Sequence, residues 1–226
     1  MTRIEGEALQ RASLERLLRE AAGAPLQFDD CDFDGADLSR LDLDGCVFQR
    51  CVFAAASLFS CGLTGTTWRR CRMGQADFES ADLAEARFED CDLNTSGWRR
   101  ARLPGVVFRG CKLTGANFEE AGGLHLQFEQ CLLIGADLRK LSFRKQRLAQ
   151  LDFSDADLGN CDFRDAVFEG GSLRDANVKL ARFDGADLRE ADLGGLQLQD
   201  VRQFKGAIIS QRQAAGLLAE LGLTVA

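Results

Sequence analysis

Tyrosine is absent from the 226 residues, histidine occurs once and proline twice. One imidazole cannot build a metal site or a catalytic triad, so acid–base chemistry near neutral pH has few carriers here. No GxSxG, GKS/T loop or HExxH occurs, nor a GxGxxG in a suitable context. These absences exclude most enzyme classes, and no cofactor and no metal are expected. No apolar run approaches the roughly 20 residues of a membrane span. The opening MTRIEGEALQR also lacks the apolar core of a signal peptide. A cytoplasmic protein with no membrane contact is therefore expected. A net charge of −7 weighs against direct nucleic-acid binding, because phosphate repels an acidic surface.

Against these absences stand 16 Phe, 23 Gly and 9 Cys, placed with a period of five. Stepping by five from Phe28 through Phe33, Leu38 and Leu43 as far as Leu198 meets a large apolar residue at 34 of 35 positions, Gly123 being the exception. Two residues before each lies a smaller one, mostly Ala or Cys, and all nine cysteines fall in that slot. A helix repeats every 3.6 residues and a strand every 2, so neither keeps every fifth residue on one side. A solenoid of five-residue sides, four to a turn, does. It predicts columns of residues twenty apart, such as Cys31, Cys51, Cys71, Cys91, Cys111 and Cys131, or the aromatic run Phe28, Phe48, Trp68, Phe88, Phe108 and Phe128.

In this scheme Gly123 leaves a hole in the column of Leu43, Leu63, Leu83 and Leu103, and Gly122 with Gly123 marks a bulge or bend. Gln146 occupies a slot meant for a small residue and predicts a distorted coil. The cysteines match neither metal-binding CxxC spacing nor a paired disulfide framework, and read as small buried hydrophobes. His125 is expected at the surface.

An open solenoid exposes backbone and core at its ends and needs caps. Residues 7 to 22 read as a helix with Leu14, Leu17, Leu18 and Ala21 on one face, stopped by Gly23 and Pro25. At the other end Ser210-Gln211-Arg212-Gln213 has capping-box spacing, followed by an apolar stripe of Ala214, Leu217, Leu218 and Leu221. The expected organisation is an N-terminal capping helix (1–25), a repeat region (26–200) and a C-terminal helix and tail (201–226).

Repeats such as Ala36-Asp37-Leu38-Ser39-Arg40 and Ala186-Asp187-Leu188-Arg189-Glu190 resemble the A(D/N)Lxx signature of pentapeptide-repeat proteins. The resemblance implies an all-β fold, a right-handed quadrilateral β-helix. Residues Gly206–Ser210 and Gln213–Val225 further resemble the C-terminal helix and strand of the Qnr and MfpA branch. That branch dimerises through this segment and protects DNA gyrase or topoisomerase IV from quinolones or natural gyrase poisons. The resemblance thus implies a homodimer joined through Leu217, Leu218, Leu221, Leu223 and Val225. Members of the branch that carry loops between coils differ from this chain, whose register never shifts from Phe28 to Leu198.

Charge is unevenly placed: net −6 over residues 28–48, +4 over 49–147 and −7 over 148–200. A dimer joined at its C-termini would gather Asp152, Asp155, Asp157, Asp162, Asp165, Asp175, Asp184, Asp187 and Asp192 about its centre. Such an acidic surface can imitate duplex DNA, which carries one charge per about 1.7 Å of axis, and compete for a basic saddle. The bland alternative is that Asp merely precedes the central residue of the repeat and keeps the surface soluble. Arg139, Lys140, Arg144, Lys145 and Arg147 form the one compact basic cluster of the middle segment. Two functions follow: a non-enzymatic DNA mimic bound to gyrase or topoisomerase IV, or an interaction scaffold with an unrelated protein partner.

Overall fold

The computed structural model describes residues 2–195, 201–220 and 222–224. It contains two compact units, Met1–Gln127 and Phe128–Ala226. Each is a four-sided β-solenoid, and each five-residue side is built alike. In the side Ala36-Asp37-Leu38-Ser39-Arg40, Asp37 bridges Ser57 of the next rung and Leu38 is fully buried. Ser39 and Arg40 turn the corner, Arg40 at φ 62°. Leu41 N–H donates to the Leu38 carbonyl at 3.2 Å, closing a turn that requires positive φ at its third residue. Left-handed backbone is costly outside glycine. It is held here because Arg40 N–H donates across the rung to Phe59 O at 2.8 Å.

Ser39 N–H has no such backbone acceptor. Asp37 Oδ1 takes it at 3.0 Å. The same bond recurs from Glu79 N to Asp77, from Asn94 N to Asp92 and from Glu119 N to Asn117. The Asp or Asn of the repeat is therefore a turn-maker, supplying the acceptor that one amide per side would otherwise lack.

In the first unit, strands β1 (Thr2–Glu5), β2 (Leu26–Asp29), β3 (Val47–Gln49), β4 (Thr67–Arg69), β5 (Arg87–Glu89) and β6 (Val107–Arg109) form one side, paired in parallel. Phe28, Phe48, Trp68, Phe88 and Phe108 stack at centroid distances of 5.1, 4.1, 5.7 and 4.9 Å. A second column, Phe78–Trp98–Phe118, meets the first edge to face, as the ring quadrupoles favour. Both tryptophans need an acceptor for the indole N–H. Where the central residue is Trp, the small slot changes from Ala or Cys to a hydroxyl. Trp68 Nε1 donates to Thr66 Oγ1 at 2.9 Å, and Trp98 Nε1 to Ser96 Oγ at 2.7 Å. Each hydroxyl in turn donates to the carbonyl three residues back, Leu63 or Leu93.

The N-terminal cap differs from the expected helix over 7–22. Helix α1 spans only Arg11–Glu20, and β1 and Ala8 before it add strand-like pairing, Ile4 opposite Phe28 and Ala8 opposite Asp32. Ile4, Leu9 and Leu14 are all buried. They are five residues apart, so the cap keeps the period of the repeats in its own register.

Gly123 is exposed where the other members of its column are buried, and an added Cβ would lie 2.6 Å from the Leu103 carbonyl oxygen and nearer still to Pro104 N. Gly122 keeps its bridge to Arg102.

The second unit has the same construction after β7 (Gln127–Glu129). Strands β8 (Arg147–Ala149) and β9 (Val167–Glu169) pair in parallel with Leu148 opposite Phe168. The distortion expected at Gln146 does not occur. Its amide still donates to Phe143 O at 3.1 Å and its carbonyl accepts from Val167 N at 2.9 Å, while its Nε2 reaches Ser142 O at 3.3 Å. Leu198 lies outside the described residues. Beyond that gap the twenty-residue spacing becomes twenty-one, with Asp187 bridging Ile208. A 3-10 turn at Val201–Phe204 places Phe204 on Phe183, extending the stack Phe143–Phe163–Phe183 at 4.8 Å spacing throughout. Coil pairing thus runs to Ile208, past the boundary expected at 200.

Candidate interaction surfaces

Helix α2 (Gln211–Glu220) is docked by one side chain. Gln213 Oε1 accepts from Ser210 N at 2.7 Å and Ser210 Oγ accepts from Gln213 N at 3.2 Å, the reciprocal capping box read from the sequence. Gln213 Nε2 meanwhile donates to Leu188 O and Ala191 O, both at 2.7 Å. The helix is thereby tied to the coil beneath it.

This docking sorts the apolar residues. Leu217 is half-buried and lines a groove against the coil together with Arg174, Asp192 and Gln213. Leu218 is exposed, as is Leu223 at 56%. Leu221 and Val225 lie outside the described residues. Ile208, 49% exposed, and Ile209 add to the uncovered apolar surface of this segment. Sequence reasoning named neither isoleucine in the interface. The signal was their position just before the cap residue Ser210, where the chain leaves the coil.

The nine acidic candidates do not share one face. The rung register places Asp152, Asp155, Asp175 and Asp192 on one side of the solenoid, Asp157 on the next, Asp162, Asp165 and Asp184 on the third and Asp187 on the fourth. Asp152, Asp157, Asp162, Asp187 and Asp192 are turn-makers, each accepting the amide two residues on at 2.9–3.2 Å. Several are also neutralised. Asp162 pairs with Arg164 at 2.5 Å, Asp187 with Arg189 at 2.6 Å, Asp192 with Arg174 at 2.9 Å and Asp184 with Arg182 at 3.5 Å. Hydrogen bonds from those arginines hold the Asp162 and Asp187 carboxyls below the usual carboxylate range. At Asp192 the Gly194 amide does most of this and Arg174 adds to it. Asp155, Asp165 and Asp175 occupy left-handed corner positions, point outward and form no ion pair among the described residues.

The basic middle is neutralised across rungs. Arg69 pairs with Glu89 at 2.8 Å, Arg70 with Asp90 at 3.9 Å and Arg99 with Glu119 at 3.4 Å, each twenty residues apart, and Arg100 pairs with Glu79. In the 139–147 cluster Arg139 is held by Asp137 at 2.5 Å and Arg147 by Glu169, leaving Lys140, Arg144 and Lys145 exposed. His125 is exposed, as expected, next to Leu124 at 79%. Among the described residues no group of three or more His, Cys, Asp or Glu side chains could hold a metal ion, and no helix is long and apolar enough to cross a membrane.

A family model described as "Pentapeptide repeat region" matches residues 26–98, and one described as "Pentapeptide repeats (8 copies)" matches 99–121, 127–165, 161–195 and 172–202. No curated protein matches the sequence significantly. Among solved structures, full-length QnrB1, a plasmid-mediated fluoroquinolone resistance protein, is similar with a TM-score of 0.61 and 21% identity, over 98% of each chain. A trypsin-treated variant of QnrB1 gives a TM-score of 0.58 and 23% identity over 100% of this chain and 98% of that one. HetL from the cyanobacterium Nostoc sp. strain PCC 7120 gives 0.40 and 22% over 88% and 94%. With coils, turn chemistry and family matches in agreement, the chain belongs to the pentapeptide-repeat family.

Proposed function

We propose that this protein works by binding and not by catalysis, as a homodimer whose acidic coils occupy the DNA-binding surface of DNA gyrase or topoisomerase IV and relieve inhibition by quinolones or natural gyrase poisons. What carries the reading is found within the second unit: outward Asp155 and Asp175 on one side of the coils, and the uncovered Ile208, Ile209, Leu218 and Leu223 of the C-terminal segment. Uncovered apolar groups on one terminal segment mark an association surface. A second copy is the partner the segment fits, since a two-fold contact lets the same patch meet itself. The fluoroquinolone resistance named for QnrB1 gives the drug class.

The acidic recognition falls to the corner aspartates Asp155 and Asp175, which share one side, more than to the whole set of nine. Asp155 and Asp175 sit on consecutive rungs, about 4.8 Å apart in a stacked sheet. The turn-making aspartates already spend an oxygen on the backbone. Light scattering on Ile208→Asp with Leu218→Asp tests the association. The account expects a monomer that no longer protects gyrase. A dimer of unchanged mass sinks the C-terminal contact. A monomer that still acts on an unrelated partner favours the scaffold reading.

A further inference from the structure

Five of the seven cysteines of the first unit stand in one inward column. The bridges Asp32–Val52, Val52–Arg72, Arg72–Asp92 and Asp92–Lys112 put Cys31, Cys51, Cys71, Cys91 and Cys111 on successive rungs in register. All are buried. This register sets neighbouring thiols one rung apart, about 4.8 Å in a stacked sheet. Each sulfur also faces two backbone carbonyls. Cys71 donates to Phe48 O and Arg69 O, both at 3.5 Å, and Cys91 to Trp68 O at 3.5 Å and Glu89 O at 3.4 Å. Cys51 and Cys111 repeat the pattern.

This arrangement suits a cation better than an anion. The carbonyl oxygens repel a bare thiolate. The contact with Cys51 is the largest cause pushing the Cys71 thiol up to about 12, and burial adds to it. A cation between two sulfurs meets those same oxygens favourably. The rung spacing of a sheet, about 4.8 Å, is close to twice a metal–sulfur bond of about 2.3 Å, which a linear S–M–S unit requires. Thiolate is the ligand that soft d10 ions prefer. A divalent ion adds a charge argument, because two thiolates and one M²⁺ form a neutral unit that can stay buried.

We propose that this thiol column is a binding site for two-coordinate thiophilic cations of the mercuric type, each bridging two sulfurs on neighbouring rungs. Binding exchanges ligands without redox change: two S–H bonds and the ion's two bonds to chloride break, two S–M bonds form, and two protons and two chlorides leave to solvent per ion. Three or more convergent ligands are not needed.

The test titrates mercuric chloride into the reduced full-length protein with glutathione as competitor, reading bound metal by native mass spectrometry and coordination by X-ray absorption. Five sulfurs offer two separate pairs, so about two ions per chain, each with a two-sulfur shell, are expected. Cys51→Ala with Cys91→Ala puts alanine on alternate rungs and removes every neighbouring pair among the five. Alanine already fills the same slot at Ala36 and Ala56. Retention should fall at least tenfold. Cys46→Ala with Cys61→Ala is the control, since Cys46 lies between Leu26 and Thr66, and Cys61 between Leu41 and Ala81. It leaves the same number of thiols and should bind like the parent. Equal retention by the two variants overturns the proposal. So does a wild-type shell of three or more sulfurs or of oxygen and nitrogen, whether or not any variant folds.

Discussion

Putting leucine at position 123 would perfect the five-residue pattern, and the structure predicts that it damages the protein. In the first unit the Leu103–Pro104 backbone occupies the space of the missing side chain, with the Leu103 carbonyl oxygen 2.6 Å from where a Cβ would sit. That obstacle is main chain, and it is held by Leu103 N–H on Gly122 O at 3.0 Å and Gly105 N–H on Leu124 O at 2.9 Å. No rotamer change relieves the clash. Gly123 is exposed, but the obstacle is as unyielding as a packed core, where added atoms cost about 1–3 kcal/mol. Gly123→Ala is therefore placed at the top of that range and Gly123→Leu at or above it. At about 2–4 °C per kcal/mol for a chain of this size, the alanine variant melts about 6–12 °C lower. Gly122→Ala is the neighbouring control. An added Cβ there meets nothing within 4 Å, and a change under about 0.5 kcal/mol is expected. Thermal melts followed by circular dichroism at matched pH read all three. A Gly123→Leu protein as stable as the parent would show that the column accepts its missing residue and would refute the reasoning.

Thr66→Val should strand the buried Trp68 indole N–H and cost about 1–3 kcal/mol in urea unfolding, and Trp68→Phe in the same chain should recover part of it. Gln213→Ala removes the capping box and both bonds to the coil, so the α2 amides should exchange hydrogen faster while those of β8 and β9 stay protected. Burial pushes the Cys61 thiol up to about 11 and Cys161 up to about 12. Their folded-state values exceed those of the unfolded chain, so this stability is fully present below the ordinary thiol range near pH 8.5 and is lost as pH rises through 11–12. Urea midpoints measured from pH 7 to 10.5 should fall in the alkaline arm, less steeply for Cys61→Ala with Cys161→Ala.

The coil was legible in the sequence because its period of five is exact enough to exclude helix and strand, and because cysteines and large residues never exchange slots. The capping box was equally plain, since Ser210 and Gln213 need only local spacing. The departures arose where tertiary contacts decide. Nothing local to Gly123 says that main chain twenty positions earlier lies where its side chain would begin. Ile4 and Leu9 keep the period, but polar residues around them hide the strand β1 pairs into place. The one-residue shift before Phe204 left a single trace, an aromatic residue just off register. The acidic surface was the least legible part. An Asp that closes a turn and an Asp that faces a partner are the same letter, and only the amide two residues on distinguishes Asp162 from Asp165.

The central claim is topoisomerase protection, and DNA supercoiling by purified gyrase, titrated with this protein in the presence and absence of ciprofloxacin, tests it most directly. The account predicts that supercoiling lost to the drug returns as the protein is added, and that Asp155→Asn with Asp175→Asn weakens the recovery. Supercoiling that stays inhibited at every protein concentration, with topoisomerase IV behaving likewise, would contradict it.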